Sequence, residues 1–278
     1  MPDFLSSRGL GPLKRVFQHA QDEAALHAAE HPDLDRKVIT VLVTTCVMLT
    51  LQNYVFRGGS FDQLPALLEW FGAHDLAHWI NERTYGVQDR QLAQLLFWVS
   101  GSVATYAFIP ALVIKFAFRE RIADYGLNFR GILRSSWIYL VMFLFMVGPL
   151  VLVSRTEAFQ AKYPFYHLQR GEPFWPRLWI WEMAYICQFF ALEFFFREFM
   201  VHGLRRRFGV YAIFAMTVPY CMIHFGKPMT ETFGAIGAGI ILGLMSLKTR
   251  SIWLGACLHV AVAMSMDFLS LWQKGMLG

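Results

Sequence analysis

Charge is scarce in this chain: of its 278 residues only 16% are Asp, Glu, Lys or Arg, whereas 56% are hydrophobic. Soluble domains carry about 25% charged residues. With a mean hydropathy of +0.39, the composition excludes an ordinary water-facing globule and places the chain in a bilayer. Cysteine is sparse as well. Cys46, Cys187, Cys221 and Cys257 all sit in apolar stretches and form neither a CxxC nor a Cys/His spacing, so they read as small hydrophobes and imply no disulfide framework. The N-terminus lacks an apolar signal-peptide core, so no cleaved leader is expected. No internal repeat is visible. The net charge of +5 forms no dense stripe. Its cations fall between apolar segments, which argues against a nucleic-acid partner and for orientation signals in a lipid bilayer.

Apolar runs are what the chain has in abundance. A length of 278 residues holds six to eight spans of about 20 residues and leaves no room for a separate soluble domain. Runs at 38–56, 92–118, 137–154, 178–203, 210–224, 233–247 and 252–271 predict an all-α polytopic transmembrane helical bundle of about seven spans. Pro110 interrupts the second. The apolar island at 64–73 is too short to cross and suits an interfacial helix. Residues 1–37 read as a cytoplasmic tail with an amphipathic helix at 13–29, and 38–278 as one transmembrane domain. The loop at 155–177, rich in Tyr, Phe, Trp and Pro, has the chemistry of the headgroup level and suits one wall of a substrate entry.

Orientation follows from the cations. With seven spans, Arg36, Lys37, Lys115, Arg119, Arg121, Arg130, Arg134, Arg205, Arg206, Arg207, Lys248 and Arg250 share one side. That side is expected to be cytoplasmic, with the N-terminus inside.

A charge at the bilayer centre costs about 2.5 to 3.5 kcal/mol on insertion scales, so Ala191-Leu192-Glu193-Phe194-Phe195-Phe196-Arg197-Glu198 needs a reason to exist. Glu193 and Arg197 are four residues apart and share a helix face. Taken alone, the pair also serves as a neutral strut between helices. His224 closes the fifth run and His259 opens the seventh. Counted from the basic flanks at 1.5 Å per residue, Glu193, His224 and His259 lie roughly 18, 22 and 13 Å deep, all within the hydrocarbon layer. A carboxylate, an arginine and two histidines suit hydrolysis: one group takes a proton from water, and an imidazole stabilises the oxyanion. One Glu and two His also make a zinc ligand set. The absence of an HExxH spacing leaves zinc unfavoured, and no cofactor is expected. A relay in a proton-coupled transporter is a further use of such a set, for which an inverted repeat would be the sign.

Glu193 to Arg197 in EFFFR, Tyr220 to His224 as an aromatic-xxx-His, and His259 before a helix of small residues resemble the three motifs of the CPBP family, the CAAX proteases and bacteriocin-processing enzymes also called Abi proteins. The phrases His224 to Glu231 (HFGKPMTE), Leu247 to His259 (LKTRSIWLGACLH) and Asp124-Tyr125-Gly126-Leu127 resemble one prokaryotic branch. The resemblance covers about 178–271. It implies a glutamic-type intramembrane endopeptidase of the prokaryotic inner membrane, acting on a membrane protein or peptide substrate. Glu193, Arg197, His224 and His259 are then its site residues, with Glu198 and Glu231 as further candidates. The pattern departs in three places. Leu192 stands where the first of two glutamates is usual, Ala263 where a polar residue usually follows the last histidine, and Glu198 where glycine commonly follows the arginine. A non-catalytic member acting in immunity, or as a scaffold or chaperone, is the alternative these departures support. Glu231 also suits a helix N-terminus. Asp267 reads as a solvated residue at a span end, and Glu182 as one at the outer interface.

Overall fold

The computed structural model describes residues 11–127, 129 and 132–277, with the side chains of 12, 13 and 132–135 left out. Met1 to Leu10 of the tail, and the Arg130 and Arg134 side chains counted as orientation signals, lie outside the described residues. The chain forms helices α1 Gly11–Glu30, α2 Arg36–Tyr54, α3 Leu64–Trp70 and α4 His74–Arg83. These are followed by α5 Val87–Ala117, α6 Ile132–Val153, α7 Glu157–Lys162 and α8 Arg177–Phe208, and then by α9 Tyr211–Met222, α10 Met229–Thr249 and α11 Trp253–Gln273. No strand occurs among the described residues, only an isolated bridge between Leu127 and Ser251.

Six of these helices (α2, α5, α6, α8, α10 and α11) are long and apolar enough to cross a bilayer, so the protein is an integral membrane helical bundle. The fifth apolar run of the sequence forms α9, which has only 12 residues. At 1.5 Å per residue it reaches about 18 Å, short of a hydrocarbon core of about 30 Å. The island at 64–73 contains the seven-residue α3, with Pro65 in its first turn. Around Pro110, α5 widens into π-helical turns at Ala104–Phe108 and Val113–Ala117, the local adjustment by which a membrane helix re-satisfies backbone groups freed by a proline.

The chain divides into two compact units, Met1–Thr45 with Leu112–Ser135 and Glu193–Gly255, and Cys46–Ala111 with Ser136–Leu192 and Ala256–Gly278. In the first, Ala20 and Ala24 of α1 are buried, Glu23 pairs with Arg205 at 3.6 Å, and Arg207 donates to the His31 carbonyl at 2.7 Å. Gly209 makes this docking possible. Its backbone has φ +56 and ψ −133, and a Cβ there would lie 1.9 Å from Gln21 Oε1 and 3.0 Å from the Ala20 carbonyl. Gly209→Ala is therefore expected to cost about 1–3 kcal/mol from backbone strain alone and to loosen α1. Limited proteolysis between α1 and α2 should speed up while the rest of the chain stays protected. In the same unit burial alone would raise the Glu120 carboxyl, but bonds from Lys37 at 2.7 Å and from the Tyr125 hydroxyl outweigh it and hold the group below the usual carboxylate value.

The second unit is built on aromatic rings. Trp181 stacks on Tyr185 at 4.7 Å, Tyr185 meets Phe189 at 4.6 Å, and Phe165 packs on Trp98 at 5.3 Å. Tyr163 and Tyr166, from the loop assigned to the headgroup level, are instead 1% and 0% exposed. Ser270 and Lys274 both donate to the Tyr163 carbonyl, and the Tyr166 hydroxyl donates to Glu172 at 2.6 Å. Their polar atoms are satisfied inside the protein, so the rings pack as core. Polar side chains also meet here: Gln52 and Gln188 donate to the Ser102 hydroxyl at 2.9 and 3.2 Å. Asp267, expected at a solvated end, is only 2% exposed and interacts with Glu182. A cavity of about 920 Å³ in this unit is walled by Tyr85, Gln88, Gln91, Gln94, His167 and Gln169, so residues 167–169 of the aromatic loop do line a cavity.

Candidate active site

The site grows out of α8. This helix is regular up to Glu193, turns π-helical over Phe194–His202 and closes as an α-helix at Gly203–Phe208. π-helical turns of this kind are uncommon and concentrate at functional positions. Everything from Phe194 to Val201 is buried. Within this apolar sleeve Arg197 Nε stands 3.3 Å from Glu193 Oε2, each side chain 1% exposed. The guanidinium carbon sits 4.1 Å from the centre of the Tyr220 ring, and Nη1 reaches Met216 Sδ at 3.9 Å. A planar cation stacked on a ring and paired with a carboxylate is the arrangement arginine supports and lysine does not. Arg197 Nη2 is buried and has no hydrogen-bond acceptor among the described residues. Gly255, just inside α11, borders the carboxylate: a methyl group there would sit 3.1 Å from Glu193 Oε2.

Tyr220 links this pair to His224. Its ring packs edge-on against Phe196 at 5.2 Å and against the His224 imidazole at 5.0 Å. His224 is buried, and its Nδ1 lies 2.8 Å from the Tyr220 carbonyl. A carbonyl oxygen only accepts, so Nδ1 carries a proton, and in the neutral form of the ring the lone pair is on Nε2. Thr232 donates to the His224 carbonyl at 3.0 Å, tying the start of α10 to the end of α9. The first unit thus brings Glu193, Arg197 and His224 together around Tyr220.

The other candidates have different surroundings. Glu231 lies in the first turn of α10 and pairs with Lys227 at 2.7 Å. Glu198 joins a buried cluster: Ser246 donates to its Oε1 at 3.0 Å, His202 Nε2 stands 3.3 Å from its Oε2, and the same Nε2 is 3.1 Å from the Ser246 hydroxyl. In a nucleophilic triad the acid and the serine face opposite nitrogens of the histidine. Here one nitrogen meets both, and Ser246 is 2% exposed, so the cluster clamps α8 to α10. His202 and Ser246 went unnoticed in the sequence, although the i,i+4 spacing of Glu198 and His202 was a usable signal.

His259 belongs to the second unit, half-buried, with its ring 4.6 Å from that of Phe189. Ala263 and Leu192, at two of the three departures from the family pattern, are both buried in that unit. Among the described residues no group of three or more His, Cys, Asp or Glu is placed to hold a metal ion.

No curated protein and no solved structure matches the chain. A family model does, over residues 173–265, and its description is type II CAAX prenyl endopeptidase Rce1-like. The matched third of the chain holds Glu193, Arg197, His224 and His259, and over it this membrane protein is similar to the Rce1-like CAAX proteases.

Proposed function

We propose that the chain is an intramembrane endopeptidase that hydrolyses a peptide bond in a membrane-associated or lipid-modified protein. The observation that carries this reading is the buried Glu193–Arg197 pair beside His224, whose Nε2 lone pair is suited to accept a proton. A buried guanidinium N–H without an acceptor costs about 1–3 kcal/mol, and a polarised water or carbonyl oxygen at Nη2 would recover it. In the reaction Glu193, with His224, takes a proton from water as the oxygen bonds to the scissile carbonyl carbon. Arg197 keeps the carboxylate ionised and oriented. The proton then passes to the departing amine nitrogen as the C–N bond breaks.

Comparing membrane-protein termini in cells with and without the active protein identifies the substrate. Glu193→Gln and His224→Ala, assayed on that substrate after reconstitution, should each lower turnover by about 10²–10⁴-fold, the usual worth of a general base, without loss of folded protein. Full activity in both variants rejects the assignment. Leu192 and Ala263, apolar and buried where the family carries polar groups, favour one competing reading, a non-catalytic member. Under it Glu193→Gln leaves the cellular phenotype unchanged.

A further inference from the structure

A second site lies in the first unit, where α1 crosses the ends of α8 and α10. A cavity of about 330 Å³ is walled there by Arg15, His19, Glu23, Arg205, Lys248 and Arg250. That is roughly ten times the 30 Å³ share of a liquid water molecule. Its wall holds four permanent cations and one carboxylate, and among the described residues Glu23 pairs with Arg205, at 3.6 Å. Crowding cations around an open space is unfavourable unless an anion shares it.

The backbone points the same way. Arg250 caps α10 in the left-handed conformation, φ 50 and ψ 42, at a helix-end position where glycine is the usual residue. A strained side-chain-bearing residue in place of glycine is a signature of functional constraint, and here it puts Arg250 into the cavity wall. Arg205 and Lys248 occupy the last turns of two helices long enough to cross a bilayer, so the cavity stands at the level of lipid headgroups. Val16 and Leu247 complete the wall and offer apolar surface to the carbons of a glycerol unit.

From this we infer that the cavity binds the phosphate of an anionic phospholipid headgroup, which fastens α1 to the ends of α8 and α10. The inference stands independently of peptide hydrolysis. Native mass spectrometry of the full-length protein, released from mixed phosphatidylglycerol and phosphatidylcholine micelles, tests it. The expected result is retention of one phosphatidylglycerol, falling with added salt as a charge interaction must. Arg15 and Lys248 are exposed, so Arg15→Ala/Lys248→Ala should fold. Each lost cation should weaken retention about fivefold, and the pair on the order of 30-fold. Arg83→Ala/Arg155→Ala removes the same charge at exposed positions outside the cavity wall and should retain the lipid. Equal retention by the Arg15/Lys248 variant, equal retention of phosphatidylcholine, or no salt dependence overturns the proposal. Displacement by inorganic phosphate at an ionic strength at which sodium chloride leaves the lipid bound also overturns it, in favour of a soluble phosphate ester.

Discussion

Arg197→Met is expected to destabilise the protein by about 3–5 kcal/mol, the cost of stranding one partner of a buried ion pair, and to remove cleavage activity. Glu193 would remain 1% exposed without its counter-charge, and the Tyr220 ring would lose the guanidinium stacked 4.1 Å above it. The effect should be far from additive. Glu193→Gln/Arg197→Met replaces both charges with groups of similar volume, so it should recover most of the lost stability while staying inactive. Unfolding in detergent, followed by heat or by sodium dodecyl sulfate, measures the stability of the singles and the double, and the cleavage assay separates structure from chemistry. Arg197→Met within 1 kcal/mol of wild type would mean that the pair is not the strut of α8. Recovered activity in the double would remove Glu193 from the chemistry.

Local spacing made much of this site visible. Glu193 and Arg197, like Tyr220 and His224, are i,i+4 neighbours, and a charge inside an apolar run is conspicuous because lipid penalises it. The long apolar runs likewise marked out six of the crossing helices. What stayed hidden depends on tertiary partners. Residues 210–224 are predominantly apolar, but Gly209 and the turn after Met222 confine α9 to 12 residues, and composition does not register an early helix end. The π-helical stretch in α8 has no period of its own in a run as short as FFFREFMVH. Asp267 looked solvated because its partner, Glu182, is far away in sequence. Tyr163 and Tyr166 looked interfacial because aromatic residues beside proline suit headgroups and cores equally well, and only their hydrogen-bond partners decide between the two. Glu198 stood out as an acid where glycine was expected, yet the residue that makes room for it is 72 positions earlier.

That residue is Gly126, and Gly126→Ala is expected to be among the most damaging of the small substitutions. Its φ is +68, and a Cβ there would lie 2.1 Å from Glu198 Cδ and 2.4 Å from Oε1. Glu198 has nowhere to retreat: it is fully buried, Ser246 donates to one of its oxygens, and His202 stands 3.3 Å from the other. Gly126 is also held from the other side, its carbonyl accepting from the Ile252 N–H at 3.0 Å. Overpacking of this kind costs about 1–3 kcal/mol, and the left-handed backbone adds roughly 1 kcal/mol or more for any residue with a Cβ. The two contributions can be separated. Glu198→Gly empties the space the new methyl needs, so in Gly126→Ala/Glu198→Gly the overpacking disappears and only the backbone cost remains. The cycle of two singles and the double should therefore show a coupling of about 0.5–3 kcal/mol in detergent unfolding. Additivity within about 0.5 kcal/mol, the behaviour of distant sites, would show that the two residues do not share this space.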